Sequence, residues 1–152
     1  MLLATAALAL SAPLQAANGI TVLHSFDYDD GQYPEVRHVQ GPDGAFYGTT
    51  YAGGLHHQGE VFRVDAAGDF SILHSFDGED GQSLDSGLVL MDDGNFYGST
   101  PQTVYCRRSI CSGYGGTVFR IAADGTFATL HTFKNAAGGW QVGPLTAGPD
   151  GL

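Results

Sequence analysis

The stretch VLHSFDYDDGQ at residues 22–32 returns as ILHSFDGEDGQ at residues 72–82, an offset of 50 residues. A second pair keeps this offset, because PDGAFYGTT at 42–50 returns as DDGNFYGST at 92–100. Two different motifs that recur at one spacing and in one order indicate a tandem repeat. A period of this length is typical of proteins built from one supersecondary unit per repeat.

A third copy extends the repeat but at a different spacing. GEVFRVDAAGDFSILHSF at 59–76 becomes GTVFRIAADGTFATLHTF at 116–133, an offset of 57 instead of 50. The seven additional residues lie between Thr100 and Gly116, in the loop that carries both cysteines of the chain. Repeat folds tolerate an insertion that is confined to one loop, so the longer offset fits the same architecture.

The middle copy of the repeat divides into four short segments rich in β-branched and aromatic residues, which favour strands. The segments are EVFRVD (60–65), DFSILHSF (69–76), GLVLM (87–91) and NFYGST (95–100). DAAGD joins the first two segments and DDGN the last two, and Asp-Gly suits tight hairpin turns. We predict that these four strands form one unit, with an acidic loop inside the unit and GGLHHQG between units.

We therefore predict an all-β fold of tandem four-stranded antiparallel units, arranged as a partial, open β-propeller. The alternative is an elongated β-solenoid or a stack of small sheets. The chain has 23 glycines in 152 residues, which fits short strands joined by many turns. About three units are expected in 17–152, the first and last of them incomplete.

The N-terminal sequence MLLATAALALSAPLQA is apolar and uncharged, and the first charged residue is Asp27. We interpret 1–16 as a secretory signal peptide, with a buried N-terminal helix as the alternative. The protein is then exported to the extracellular space or cell surface, with the periplasm as another destination. No later segment is long and apolar enough to predict a transmembrane helix.

The formal net charge of −10 disfavours several classes of partner. An acidic surface repels nucleic-acid phosphates and anionic lipid headgroups. We expect no nucleic acid among the partners, and glycans or proteins at the cell surface remain as candidates.

The motifs LHSF-x-x-x-DG, DG-x-FYGTT and G-x-VF-R, taken in this order, resemble the bacterial GloVer-type tandem repeat of choice-of-anchor proteins. The resemblance covers nearly all of 20–152. It implies an exported, often surface-associated protein with further repeats and a C-terminal anchor in the full-length product. No catalytic residues are carried over from this family. Arg37, His38 and the segment KNAAGGW at 134–140 depart from the pattern of the middle copy.

The acidic loops are the first candidate site, for calcium. Hard cations favour several closely spaced oxygen ligands, which these loops offer at Asp27, Asp29, Asp30, Asp77, Glu79 and Asp80. Asp and Gly also favour turns for conformational reasons, so structural turns are the alternative. No other cofactor is expected.

The cysteines are the second candidate. Cys106 and Cys111 are expected to form a disulfide, because export implies an oxidising compartment.

Several aromatic residues are candidate sugar-stacking platforms. They are Tyr47, Tyr51, Tyr97, Tyr105, Tyr114 and Trp140. We expect the repeated Phe-Tyr-Gly motif to lie in the core, and the repeated His24, His74 and His131 to be strand residues with hydrogen-bond partners.

No nucleophile, metalloprotease or nucleotide-binding motif is present in the sequence. The leading hypothesis is a non-catalytic binding or scaffold module outside the cell. The alternative is a secreted propeller enzyme that acts on glycans through paired carboxylates.

Overall fold

The expected all-β fold is confirmed by a computed structural model in which no described residue lies in a helix. The described residues are 19–34, 37–101, 103–107, 110–133 and 143–148. The side chains of 103–107 and 110–114 are not described. The predicted signal peptide lies outside these ranges. Within them, no helix is long and apolar enough to cross a membrane.

Two four-stranded antiparallel sheets make up most of the structure. The first unit contains β1 (Val39–Gln40), β2 (Phe46–Thr50), β3 (Glu60–Val64) and β4 (Phe70–Ser75), in that order. The second unit contains, in sheet order, β5 (Val89–Leu90), β6 (Phe96–Ser99), β9 (Thr117–Ile121) and β10 (Phe127–Thr132). A separate hairpin, β7 (Thr103–Arg107) and β8 (Ile110–Tyr114), lies between β6 and β9 in the chain. The units form an open, propeller-like arrangement.

The predicted grouping of strands into one unit is wrong. EVFRVD and DFSILHSF belong to the first sheet, whereas GLVLM and NFYGST belong to the second. The acidic loop therefore connects two units, and GGLHHQG lies inside one. A periodic sequence does not show at which residue a structural unit starts, because the same pattern can be divided at any point. That choice depends on pairing, and Phe46 of β2 lies opposite Val64 of β3 as Phe96 of β6 lies opposite Ile121 of β9.

Asp-Gly turns fix the hairpins as the sequence predicts. In the turn between β1 and β2, Gly44 has φ +79°, and the Asp43 carboxylate accepts the N–H of Ala45 at 3.1 Å. Gly94 repeats this in the second unit with φ +77°. Only glycine adopts this backbone region without steric strain, which explains why the dipeptide recurs.

Each unit carries a β-bulge at the same place in its outermost strand. In β4, Ile72 lies opposite Phe62 and His74 opposite Val61, so Leu73 is the extra residue. In β10 the corresponding irregularity leaves Leu130 without a partner. A bulge changes the face to which later side chains point. It therefore places the histidine of each outer strand on the same face as the third strand's valine.

The main core lies between the two units. Tyr47 stacks on Phe96 with ring centroids 4.0 Å apart, and His74 stacks on Phe127 at 3.7 Å. We define the trailing face of the first unit as Tyr47, Val61, His74 and Phe76, and the leading face of the second as Phe96, Phe119 and Phe127. Four of these rings are fully buried, with 0% exposure: Tyr47, Phe76, Phe96 and Phe119. Full burial of such a ring stabilises a fold by about 1.5–3 kcal/mol, so the units stabilise one another.

Candidate functional site at the loop edge

The two edges of the sheets differ in character. Along one edge, short turns join β1 to β2, through Asp43-Gly44, and β3 to β4, through residues 65–69. Along the other edge lie the longer connections, because in an antiparallel sheet alternate links return to the same side. We call this second edge the loop edge and define it by residues 27–33, 51–59 and 77–83.

Backbone hydrogen bonds hold the loops of this edge together. Gln32 and Ala52 pair in both directions, with N···O distances of 2.6 and 3.2 Å, and the N–H of Gly54 donates to the carbonyl of Tyr28 at 3.2 Å. On the other side of the 51–59 loop, the N–H of Ser83 donates to the carbonyl of Gln58 at 2.9 Å. The three loops therefore form one continuous surface.

The first acidic loop is closed by its own carboxylates. Asp27 accepts the backbone N–H groups of Asp29 and Asp30 at 2.9 and 3.2 Å, and Asp30 accepts the N–H of Asp27 at 2.6 Å. The second oxygen of Asp30 lies 2.7 Å from Nε2 of His24. Both aspartates thus have a structural role in shaping the turn.

The second acidic loop repeats this arrangement. Asp77 accepts the N–H groups of Glu79 and Asp80 at 2.9 and 3.3 Å, and Asp80 accepts the N–H of Asp77 at 3.1 Å. Asp80 also lies 2.6 Å from Nε2 of His74. The N–H of Glu79 is the main cause that lowers the pKa of Asp77 below 3.8. The expected hydrogen-bond partners of His24 and His74 are therefore confirmed.

The glycine of each acidic loop lies against a threonine. A Cβ atom on Gly31 would lie 2.6 Å from Cγ2 of Thr50, and one on Gly81 would lie 2.5 Å from Cγ2 of Thr100. The φ angles of these glycines are +119° and +141°. Steric contact and backbone conformation thus require glycine at both positions.

Calcium binding by these loops stays a prediction. The hydrogen bonds above engage both oxygens of Asp30 and one of Asp27, whereas Asp29 and Glu79 enter through their backbone N–H groups. Among the described residues, no three side chains of His, Cys, Asp or Glu come together as a metal site. A calcium ion would need carbonyl or water oxygens in addition to the carboxylates.

Exposed aromatic side chains gather on the loop edge of the first unit. The exposed fractions are 50% for Tyr28, 58% for Tyr33 and 47% for Tyr51, and Leu55 beside them reaches 74%. The rings of Tyr28 and His57 lie 5.0 Å apart, and the N–H of Tyr51 donates to the carbonyl of Tyr33 at 3.3 Å. We call Tyr28, Tyr33, Tyr51, Leu55 and His57 the aromatic patch. Exposed apolar clusters of this kind often mark binding surfaces.

Two members of the aromatic patch have unusual backbone conformations. Tyr33 has φ +57° and His57 has φ +60°. Among the described non-glycine residues, Ser83 is the third with positive φ, and it occupies the repeat position of Tyr33. The fold thus imposes this conformation at 33 and 83, and the bulky ring at 33 is an addition to it. Strain of this kind is often found at functional sites.

Sequence reasoning missed most of this patch, since it singled out Tyr51 but not Tyr28 or Tyr33. A signal was present in the repeat. Tyr28 and Tyr33 replace Gly78 and Ser83 of the next copy, while the neighbouring residues hardly change. An aromatic residue that appears in only one copy is not required by the fold.

The remaining aromatic candidates divide into two groups. Tyr47 has 0% exposure and Tyr97 is half-buried, which confirms a structural role for the Phe-Tyr-Gly motif. Trp140 and the side chains of Tyr105 and Tyr114 lie outside the described part of the structure.

The cysteines lie opposite each other on the hairpin between β6 and β9. Cys106 of β7 and Cys111 of β8 are paired in the backbone register. Their side chains are not described, so the disulfide stays a prediction. Opposite residues in an antiparallel pair have α-carbons about 4.5–5.5 Å apart, within the range that a disulfide spans.

A repeated polar cluster lies at the opposite edge. Asp43 accepts hydrogen bonds from Tyr47 at 3.1 Å and from Arg63 at 3.0 and 2.9 Å. Burial acts to raise the pKa of Asp43, but the hydrogen bonds from Arg63, Ala45 and Tyr47 outweigh it and hold the pKa below 3.8. Asp93 accepts from Tyr97 at 2.8 Å in the second unit. A cluster repeated in both units stabilises the hairpins.

Comparison with known proteins gives one result for the family. No curated protein and no solved structure matches the chain. The family described as the Gloeobacter/Verrucomicrobia repeat matches residues 13–152, which is most of the sequence. This span contains both sheets and the loop edge. The chain therefore belongs to the Gloeobacter/Verrucomicrobia repeat family.

Proposed function

We propose that the protein is an exported binding or scaffold module that holds its ligand on the aromatic patch of the loop edge. The observation that carries this proposal is the exposure of three tyrosines, Tyr28, Tyr33 and Tyr51, on neighbouring loops. Sheets that pack rigidly against one another provide a firm support for such loops, and binding residues are often found on loops positioned in this way.

We propose a neutral glycan as the ligand class. The net charge of −10 repels anionic polymers. Tyrosine rings combine a flat apolar face with a polar hydroxyl group, which suits the apolar faces and hydroxyl groups of sugar rings. Asp29, in the loop that carries Tyr28 and Tyr33, adds an exposed carboxylate that can accept sugar hydroxyl groups.

The binding test compares variants of the patch with a matched control. Tyr28→Ala and Tyr33→Asn each remove a ring, and asparagine tolerates the positive φ at 33. Ile72→Ala removes a side chain of β4 that is 42% exposed and lies away from the loop edge. We expect both patch variants to lose retention on insoluble neutral polysaccharides, and Ile72→Ala to keep it.

Equal retention of all variants would contradict the proposed site. Absence of binding to any neutral polysaccharide, together with binding to proteins of the cell surface, would contradict the ligand class but not the module. Release of shorter oligosaccharides from the polysaccharide would instead indicate the alternative, a glycan-degrading enzyme.

Export is tested separately. We propose that residues 1–16 direct secretion and are removed, so the N-terminal sequence of protein recovered outside the cytoplasm should begin near Ala17. Protein that retains Met1, or that stays in the cytoplasm, would contradict a cleaved signal peptide.

A further inference from the structure

Glu60, the first residue of β3, is the one charged residue with 0% exposure among the described residues. Its Oε1 atom accepts the hydroxyl of Ser75 at 2.6 Å. Its Oε2 atom is also buried, but no described residue provides it with a hydrogen-bond partner, and no described basic side chain forms an ion pair with Glu60. A buried charge without a partner is strongly destabilising, so this carboxylate requires a compensating group.

The second unit shows which groups the fold itself needs at this position. The residue there is Thr117, whose backbone N–H donates to the hydroxyl of Thr100 at 3.0 Å. The N–H of Glu60 donates to the hydroxyl of Thr50 in the same way, at 3.1 Å. The Thr117 hydroxyl lies 2.9 Å from that of Thr100 and donates to the carbonyl of Asp80 at 2.9 Å. Threonine thus satisfies the position, and the fold does not require a carboxylate.

The exchange of a hydroxyl for a carboxylate removes a hydrogen-bond donor from the first unit. Asp30 is the counterpart of Asp80 in the repeat, and its carbonyl accepts no backbone N–H from the described residues. An ionised carboxylate only accepts hydrogen bonds, so Glu60 cannot donate to this carbonyl as Thr117 donates to that of Asp80. The first unit therefore has only acceptor oxygens where the second unit pairs a donor with an acceptor.

The first acidic loop lies next to the Glu60 carboxylate. Gly54 packs so closely against this carboxylate that a Cβ atom at position 54 would overlap it. The N–H of Gly54 donates to the carbonyl of Tyr28 at 3.2 Å. A Cβ atom on the neighbouring Gly53 would lie 2.9 Å from Cα of Gly31. The buried carboxylate is thus close to the backbone of the acidic loop, which adds carbonyl oxygens and negative charge.

We propose that Glu60 and carbonyl oxygens of the first acidic loop bind a calcium ion. Calcium takes about 6–8 oxygen ligands from carboxylates, backbone carbonyls and water. A divalent cation at Oε2 supplies the missing partner of the carboxylate and makes the neighbouring acceptor oxygens ligands of one ion. This site differs from one built from the acidic side chains of the loops, because its essential carboxylate comes from β3.

Thermal unfolding of the full chain with calcium chloride, followed by circular dichroism, tests this proposal. Calcium at about 100 times its dissociation constant should raise the unfolding midpoint by at least about 5 °C. Glu60→Gln should abolish this shift, because the amide carries no charge. The matched control is Asp69→Asn, which also removes one carboxylate charge but lies exposed in the turn between β3 and β4. It should keep the shift.

A second variant gives an independent readout and decides the question if Glu60→Gln does not fold. Glu60→Thr introduces the residue type that the second unit has at this position. In the presence of a chelator it should unfold at a higher temperature than the unmodified chain, because the unpaired charge is gone, and calcium should not raise its midpoint further. Absence of any calcium shift in the unmodified chain, or an equal shift in Glu60→Thr, would overturn the proposal. Loss of the shift in Asp69→Asn would also overturn it, since overall charge would then govern the response.

Discussion

The imidazole of His74 lies flat on the ring of Phe127, with 3° between the planes, while its Nε2 atom lies 2.6 Å from the carboxylate of Asp80. One side chain thus joins the outer strand of the first unit, the acidic loop that follows it and the outer strand of the second unit. The stability of the interface and the shape of the loop are coupled at this residue.

Replacement of His74 should therefore destabilise the protein. His74→Ala removes the ring stacking and the hydrogen bond to Asp80, for an expected loss of about 1–3 kcal/mol in the free energy of unfolding. Urea unfolding followed by circular dichroism measures it. The matched control is His131→Ala, since that ring is exposed, and it should change stability by no more than about 0.5 kcal/mol. Equal losses would contradict a special role for the stacked histidine.

The close approach of Gly81 to Thr100 should make this glycine sensitive to substitution. Gly81→Ala introduces both a steric contact and an unfavourable backbone conformation, so we expect a loss of at least about 2 kcal/mol. Gly94→Ala is the comparison, because it has positive φ but no atom within 4 Å of the new Cβ. It should cost only about 1 kcal/mol. Thermal or urea unfolding of the two variants separates strain from steric contact, and equal costs would show that Thr100 has no effect.

The free energy of unfolding should decrease at acidic pH, in part because the carboxylate of Asp77 becomes protonated. Its folded-state pKa lies below 3.8, mainly because the N–H of Glu79 donates to the carboxylate. The resulting stabilisation is fully present above the unfolded-state pKa and is lost as the pH falls through the lower folded-state value. Asp77→Asn keeps an acceptor oxygen but does not titrate, so its unfolding free energy should depend less steeply on pH below 3.8.

Asp77→Ala serves as the contrasting variant, because it removes the acceptor as well as the charge. It should be less stable than Asp77→Asn at neutral pH. Parallel pH profiles for Asp77→Asn and the unmodified chain would show that the acid sensitivity arises elsewhere.

The paired positions of Cys106 and Cys111 predict a disulfide in exported protein. Intact-mass measurement should find a chain two hydrogen atoms lighter than the reduced form. Closing this short loop should stabilise the chain by about 2 kcal/mol, so reduction should lower the unfolding midpoint. The double variant Cys106→Ser with Cys111→Ser should not respond to reductant. Two free thiols in exported protein would disprove the bridge.

The sequence predicts the strands and turns of this fold well, but not the assignment of strands to sheets. Asp-Gly turns and alternating β-branched residues act locally, so they identify the hairpin that contains Gly44 wherever the unit begins. The boundary between units depends on long-range contacts such as Tyr47 on Phe96, which no local pattern reveals. The sequence therefore predicted a unit that spans the interface.

The candidate site was predictable only in part. The acidic residues stood out because they are clustered, yet Asp27 and Asp30 mainly bind backbone N–H groups of their own turn. The sequence did not indicate Tyr28 and Tyr33 as candidate binding residues, because single aromatic residues are common in strand-rich proteins. Backbone hydrogen bonds from Gly54 to Tyr28 and from Tyr51 to Tyr33 bring these residues beside the 51–59 loop, and no local sequence pattern reveals this proximity.

The hairpin of β7 and β8 has a consequence for how this protein can change. It makes the chain between β6 and β9 longer than the chain between β2 and β3, yet Phe119 and Phe127 meet Phe76 much as Phe62 and Phe70 meet Phe26. The spacing of units in three dimensions is thus set by ring contacts, while their spacing in sequence is free to vary. We therefore expect that the connection between the second and third strands of a unit can be lengthened without changing how neighbouring units pack.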